Sequence, residues 1–161
     1  MKNDVNATPE LIDMAGARFE LIARMGREDA DTALYRTAMA AGRSVPLHSH
    51  IDPECLYVLS GQIEVFVFDA KPRWQNLDTG QSVLLADGVR HALRNTTSQQ
   101  ADLVLVTNNR LGRFFRDAGR PVMPGDACQP PSPDDITRIQ QVSEAYGYWQ
   151  ASPDESDAVT G

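Results

Sequence analysis

A chain of 161 residues falls within the size of one domain, and 42% apolar with 23% charged residues is ordinary for a globular protein that buries a core without disulfides. A net charge of −7 leaves too few cations to displace phosphate counterions, which argues against nucleic acid or an anionic membrane as partner. No run of about 18 apolar residues occurs, and Met1-Lys2-Asn3-Asp4-Val5-Asn6 has no apolar stretch, so neither a membrane-spanning helix nor a secretory leader is expected. A cytoplasmic protein with Cys55 and Cys128 as free thiols follows from that reading.

The chain opens on Thr8-Pro9-Glu10, a hydroxyl cap, a proline and an acid, which predicts a short helix ending near Gly16. From residue 18 the character changes. Segments 18–24, 32–39, 45–50, 54–59, 62–68, 82–86, 91–95 and 102–107 are rich in Val, Leu, Phe and Tyr and are broken by turn residues, so each predicts a short strand. Ser60-Gly61 and Asp87-Gly88 read as hairpin turns, since glycine accepts the positive φ of tight turns. So many short strands at this spacing imply a β-sandwich or β-barrel. Beyond residue 107 the pattern turns helical. Residues 111–116 predict one or two turns closed by Gly119, and a proline-rich connector follows over 121–133. Ser132-Pro133-Asp134-Asp135 then opens a helix whose Ile136, Ile139, Val142 and Tyr146 share one face, with Gly147 as its stop. The small, acidic stretch 151–161 reads as a disordered tail.

All three histidines of the chain fall in two glycine-framed motifs. The first runs Gly42, His48, His50, Glu54, Gly61, and the second Gly80, Gly88, His91, Asn95. Residues i and i+2 of a strand share a face, so His48 and His50 can both point inward. Ile51-Asp52-Pro53 turns the chain and Glu54 enters on the next strand, with Leu56 and Val58 on its face. His91 follows a second turn. If these strands are neighbours, three imidazoles and a carboxylate converge on one divalent transition metal, whether Fe, Mn, Ni, Cu, Co or Zn. Four such ligands leave coordination positions open for chemistry.

These motifs resemble the paired signatures of the cupin superfamily: Gly-x5-His-x-His-x3–4-Glu-x6-Gly and Gly-x5-Pro-x-Gly-x2-His-x3-Asn. Every framed position is met except that Ala86 stands where the proline is expected. The resemblance implies His48, His50, Glu54 and His91 as metal ligands, with Gly42, Gly61, Gly80, Gly88 and Asn95 as framework. It also implies an all-β, single-domain cupin β-barrel, jelly-roll-like, with a C-terminal helical appendage, and a homodimer. The expected organisation is an N-terminal arm or short helix over 1–17, the barrel over 18–108, the helical and proline-rich appendage over 109–150 and the tail over 151–161. Phe114-Phe115-Arg116, the connector and the final Tyr146-Gly147 are similar to the tails of small quercetinase-like bacterial cupins.

Tyr57 and Cys55 should face away from the metal by strand parity, and only one of Tyr35 and Arg36 can point inward, Arg36 reading as a surface residue. Trp74 could be pocket rim, dimer contact or plain surface, whereas Tyr148 and Trp149 should pack on the barrel. Arg113 and Arg116 read as a solvated helix face. An apolar barrel with a metal near one end suits a small, partly apolar organic ligand. The expected function is a metal-dependent oxidoreductase of the dioxygenase type acting on an enolisable or aromatic metabolite, with Glu54 as general base should it leave the metal, as resemblance to quercetinase-like cupins implies. Two alternatives use the same ligands: a non-oxidative isomerase, lyase or cyclase with the metal as Lewis acid, and a metabolite-binding protein without turnover.

Overall fold

The computed structural model describes residues 10–86, 88–126 and 129–160. Strands β1 (Leu11–Met14), β2 (Ala17–Met25), β3 (Thr32–Met39), β4 (Ser44–Ser49), β5 (Glu54–Ser60), β6 (Gln62–Val67), β7 (Arg73–Asp78), β8 (Ser82–Leu85), β9 (His91–Arg94), β10 (Ala101–Asn108), β11 (Arg120–Pro121) and β12 (Trp149–Gln150) are joined by helices α1 (Asn109–Ala118), α2 (Pro133–Tyr146) and α3 (Pro153–Thr160). The strands form a seven-stranded sheet, β11-β1-β2-β3-β10-β5-β8, and a five-stranded sheet, β12-β4-β9-β6-β7. Leu56, Val58, Leu103 and Leu105 of the larger sheet pack with Ile63, Val65 and Leu77 of the smaller in one buried core. This is a two-sheet, jelly-roll-like β-sandwich with a C-terminal helical part. Each of the eight strands expected from the sequence is present, to within one residue at either end.

The motif glycines mark where the chain changes sheet. Gly42 links β3 to β4, Gly61 links β5 to β6, Gly80 links β7 to β8 and Gly88 links β8 to β9, and each step crosses from one sheet to the other. All four have φ between 71° and 86°. At Gly61 the crossing is also crowded, because a Cβ there would sit 2.9 Å from Ala101 Cα and from Gln100 O. The hairpins expected at Ser60-Gly61 and Asp87-Gly88 are therefore corrected. The flanking strands lie in different sheets, and a corner needs the same left-handed glycine that a tight hairpin needs. Asp87 itself lies outside the described residues.

The N-terminal helix is also corrected. Thr8 and Pro9 lie outside the described residues, and residues 11–14 form β1, paired with β2 in register from Leu11↔Glu20 to Met14↔Ala17. Ala15 (φ 54°) and Gly16 (φ 83°) make the turn. Two successive left-handed residues match the right-handed twist of a hairpin, so the glycine that looks like a helix stop closes a β-turn. The larger sheet thus starts at 11 rather than 18.

Helix α1 is capped by Asn108, whose side chain accepts from Leu111 N. Its Phe115 stacks on Phe19 at 4.1 Å and meets Tyr35 edge-on at 5.6 Å, so the helix covers the inner face of β2 and β3. Helix α2 begins with a capping box between Ser132 and Asp135 and ends at left-handed Gly147, as the sequence implies. Its buried face differs from the expected stripe. Ile139, Val142 and Tyr146 pack on the core, but Ile136 is 47% exposed, because Asp135 of the capping box takes the inner position beside it. The tail expected to be disordered carries α3. Ser152 and Glu155 exchange hydrogen bonds at its start, and Val159, Ala151, Trp149 and Trp74 cover Leu47, Phe66 and Ala92 on the outer face of the smaller sheet. Covering those apolar residues is what orders an otherwise polar segment.

Candidate metal centre

His48 lies on β4, directly opposite His91 of β9 in the strand register. His50 follows two residues on, so its ring points to the same side. Glu54 opens β5 in the facing sheet. One ring nitrogen from each of His48, His50 and His91 lies within 4.8 Å of the other two. Glu54 Oε2 stands 3.3 Å from His91 Nε2 and 3.6 Å from His50 Nε2. The two sheets thus bring the three imidazoles together and set the carboxylate beside two of them. His50, Glu54 and His91 are buried.

The second nitrogen of each ring fixes its tautomer. Nδ1 of His48 donates to Pro46 O at 2.8 Å, Nδ1 of His50 to Asp52 O at 2.8 Å and Nδ1 of His91 to Val89 O at 2.9 Å. A carbonyl only accepts, so Nδ1 carries the proton in all three and each Nε2 turns a lone pair toward the cluster. His91 Nε2 is fully buried and has no hydrogen-bond partner. Lone pairs and a carboxylate facing one another without a donor are satisfied by a shared cation, so the donor set fits a transition metal.

Charge in the metal-free cluster follows the same geometry. Burial, together with His91 and His50 beside it, pushes the His48 imidazole down to about 3. For His50 burial also opposes the charged form, but the hydrogen bond and charge of Glu54 outweigh it and raise the imidazole above its usual value. Burial alone would raise Glu54, yet its contacts with His50 and His91 hold the carboxyl far below the usual carboxylate range. Glu54 and His50 thus shift each other toward their charged forms when no metal is bound.

Around the cluster, Asn95 acts as framework. It is buried, donates to Met39 O and Gln99 O at 3.0 and 2.8 Å, and its own carbonyl accepts from Gly42 N at 2.8 Å. Tyr35 points inward and Arg36 outward; Tyr57 is exposed and Cys55 half-buried. Trp74 packs on Phe66, donates to Val159 O at 2.6 Å and lies under Arg94. Trp149 pairs with Ser49 on β12, and Tyr148 is buried against His50. Arg113 and Arg116 are engaged with Asp29 and Glu10 rather than merely solvated. Two surface hollows, of about 240 and 360 Å³, lie away from the cluster, around Arg18 and Gln100 and around Arg120 and Asp126.

Sequence reasoning did not single out Asp52. Its carboxylate is 2% exposed and accepts from Arg110 Nη1 at 2.7 Å, from Asn108 Nδ2 at 2.8 Å and from the Tyr148 hydroxyl. Burial and the Asp52 carboxylate push the Tyr148 phenol well above its usual value, so it stays a donor. The only local signal was an acid in the turn between two ligand strands.

Residues 35–107 match the family model described as Cupin domain; that span contains all four candidate ligands. Among solved structures, the cupin domain of Cnp3 from Schizosaccharomyces pombe is 18% identical, the alignment covering 65% of this chain and 69% of that one with a TM-score of 0.49. The Cupin_2 domain of an XRE family transcriptional regulator from Enterobacter cloacae is 21% identical over 58% of this chain and 96% of that one, TM-score 0.49. FeII HppE is 22% identical over 56% of this chain and 49% of that one, TM-score 0.46. No curated protein matches the chain. Among the described residues, no helix is long and apolar enough to cross a membrane.

Proposed function

We propose that this cupin-domain protein is a metal-dependent oxidoreductase of the dioxygenase type, acting on a small, partly apolar, enolisable or aromatic metabolite, with one divalent transition metal held by His48, His50, Glu54 and His91. The observation that supports this most is the set of three imidazoles whose Nδ1 protons are spent on backbone carbonyls, so that only Nε2 lone pairs face the cluster. Three imidazoles and one carboxylate leave one or two positions free on an ion that takes five or six ligands. When bound, such an ion supplies Lewis acidity and, for Fe, Mn, Ni or Cu, redox chemistry toward dioxygen. The chain's own part is to orient the rings and keep Glu54 ionised, with Leu56 on the same face of β5 and Leu85 opposite Glu54 in register, both buried. Glu54 acts first as a ligand; a carboxyl held so low is a poor base until it parts from His50 and His91. A second copy of the chain is the protein partner we propose. Tyr57, Leu59, Leu84 and Val106 leave exposed apolar side chains on the larger sheet, a surface such a copy would cover.

The test is elemental analysis of purified protein together with dioxygen uptake on enolisable aromatics. One equivalent of a redox-active metal and uptake above the metal-free background are expected. Stoichiometric zinc with no uptake would overturn the oxidative reading and leave Lewis-acid chemistry or ligand binding without turnover. The variant His48→Ala/His50→Ala should lose the metal while the sandwich stays folded; full retention of metal would refute the ligand assignment.

A further inference from the structure

We infer that Asp52 is a positioning residue of the metal site, and that through it the segment 148–150 controls how tightly the site holds its ion. The inference rests on the metal reading above. Ligand strands β4 and β5 are joined by the turn 51–53, and the main-chain oxygen of Asp52 receives the Nδ1 proton of His50. That oxygen can aim the ring only if the turn is rigid. The turn is anchored by the buried Asp52 carboxylate, which draws donors from remote parts of the chain: Asn108 and Arg110 at the start of α1, and Tyr148 beyond α2. Arg110 also donates to Tyr146 O at 2.6 Å, tying the guanidinium to the end of α2 just before that segment. Thr107 Oγ1 donates to Pro53 O at 2.7 Å, and Gly88 N donates to His50 O at 2.8 Å, so both ends of the turn are held.

The same segment lies along the ligand strand itself. Gln150 pairs with His48 and Trp149 with Ser49, while the Tyr148 ring sits 5.3 Å from the His50 ring. Residues 148–150 therefore touch the metal site twice, once as an added strand beside His48 and once through Asp52 beneath His50. Outer partners that orient a ligating imidazole typically change metal affinity by about 10–100-fold when removed. By reciprocity, bound metal must tighten the docking of the segment by the same factor that docking tightens the metal.

The experiment measures Co(II) affinity of the metal-free full chain by chelator competition, for the parent, Tyr148→Phe, Asp52→Asn and the matched control Tyr146→Phe. Tyr146 also donates its hydroxyl to a carboxylate, Asp117 at 2.6 Å, and Tyr146→Phe removes only that hydroxyl while keeping the main-chain oxygen that Arg110 uses. Tyr148→Phe should weaken Co(II) binding about 10-fold or more, and Tyr146→Phe should leave it within about twofold. Equal loss in the two tyrosine variants would overturn the positioning role while the metal reading stood. If Asp52→Asn does not fold, Tyr148→Phe decides alone. A second readout needs no metal: the His50 Nδ1 proton, followed by NMR in the metal-free protein, should exchange faster in Tyr148→Phe than in Tyr146→Phe. If the parent fails to bind Co(II), the metal reading falls, and equal exchange in the two variants then overturns the positioning of His50 as well.

Discussion

Gly112 sets how closely α1 lies on β3, and hence whether Arg110 two residues earlier can reach Asp52. A Cβ built at Gly112 would fall inside the Tyr35 hydroxyl and 3.2 Å from Tyr35 Cζ. Tyr35 is 1% exposed and wedged edge-on against Phe115, so it cannot swing aside. Overpacking of this kind costs about 1–3 kcal/mol, and replacing glycine by alanine within a helix returns about 1 kcal/mol. Gly112→Ala should therefore lose up to about 2 kcal/mol, a fall in Tm of up to about 8 °C for a domain of this length. The obstacle is a single oxygen. It is also a buried hydroxyl with no well-formed hydrogen bond, only a looser contact with Arg24, so Tyr35→Phe should itself change stability by no more than about 1 kcal/mol. In Tyr35→Phe/Gly112→Ala the new methyl meets only a ring edge that must yield a few tenths of an ångström, and the double variant should be at least as stable as the parent. Urea unfolding of the four proteins gives the coupling energy, expected at about 2 kcal/mol. If Gly112→Ala costs the same with phenylalanine at 35, the hydroxyl is not what holds α1 at its distance, and the account of this packing is wrong.

Ala15 is exposed and held at φ 54°, a conformation that costs an L-residue about 1–2 kcal/mol, so Ala15→Asn, giving Asn-Gly at the turn, should stabilise by about 1 kcal/mol with an unchanged urea m-value; no gain would mean the turn is not left-handed. In the metal-free protein His48 should remain neutral down to about pH 3, whereas in the unfolded chain it titrates near 6.5. Its contribution to stability is then complete above pH 6.5 and is lost as pH falls toward 3; His50 and Glu54, raised and lowered respectively, titrate with opposite senses in the same cluster. NMR titration of His48 with a midpoint near 6.5 would contradict the burial argument. Metal at about 100 times its dissociation constant should add about 2.7 kcal/mol to the parent and nothing to His48→Ala/His50→Ala, read as a shift in Tm.

Where the sequence misled, the signal was real but had two meanings. Gly61 and Gly88 correctly announced left-handed backbone, but φ is local and pairing is not, so a corner between sheets and a hairpin look alike until the partner strands are known. Gly16 is the opposite case: it has the look of a helix stop and is half of a true hairpin turn. Strand β7 was not seen because it is a polar edge strand with Leu77 its one buried residue, and such edges carry little apolar alternation. The tail was misread for a related reason: α3 is nearly all polar, and what docks it is Val159 and a Trp74 contact that no local pattern shows. The bounds of helix α2 were legible nearly to the residue, because its cap and its stop adjoin it in the chain, whereas its inner face was not, since Ile136 is exposed and Asp135 buried.

The ligand set was legible for the same reason. His48 and His50 owe their common direction to strand parity, and His91 meets His48 in adjacent register, so spacing and one neighbour relation suffice. The apparatus beneath them was not, since Asp52 and Tyr148 are separated by 96 positions and meet only after two sheets and two helices have closed. Asp52 on its own is an ordinary turn acid. What distinguishes it is burial, and a carboxylate 2% exposed with three donors is a costly arrangement in a turn that could have been polar and open. Stability alone is a weak reason to keep such a group, because apolar packing would serve as well. A rigid backbone oxygen at a fixed distance from His50 is something apolar packing would not supply, and that difference is why the C-terminal segment belongs with the metal centre rather than beside it.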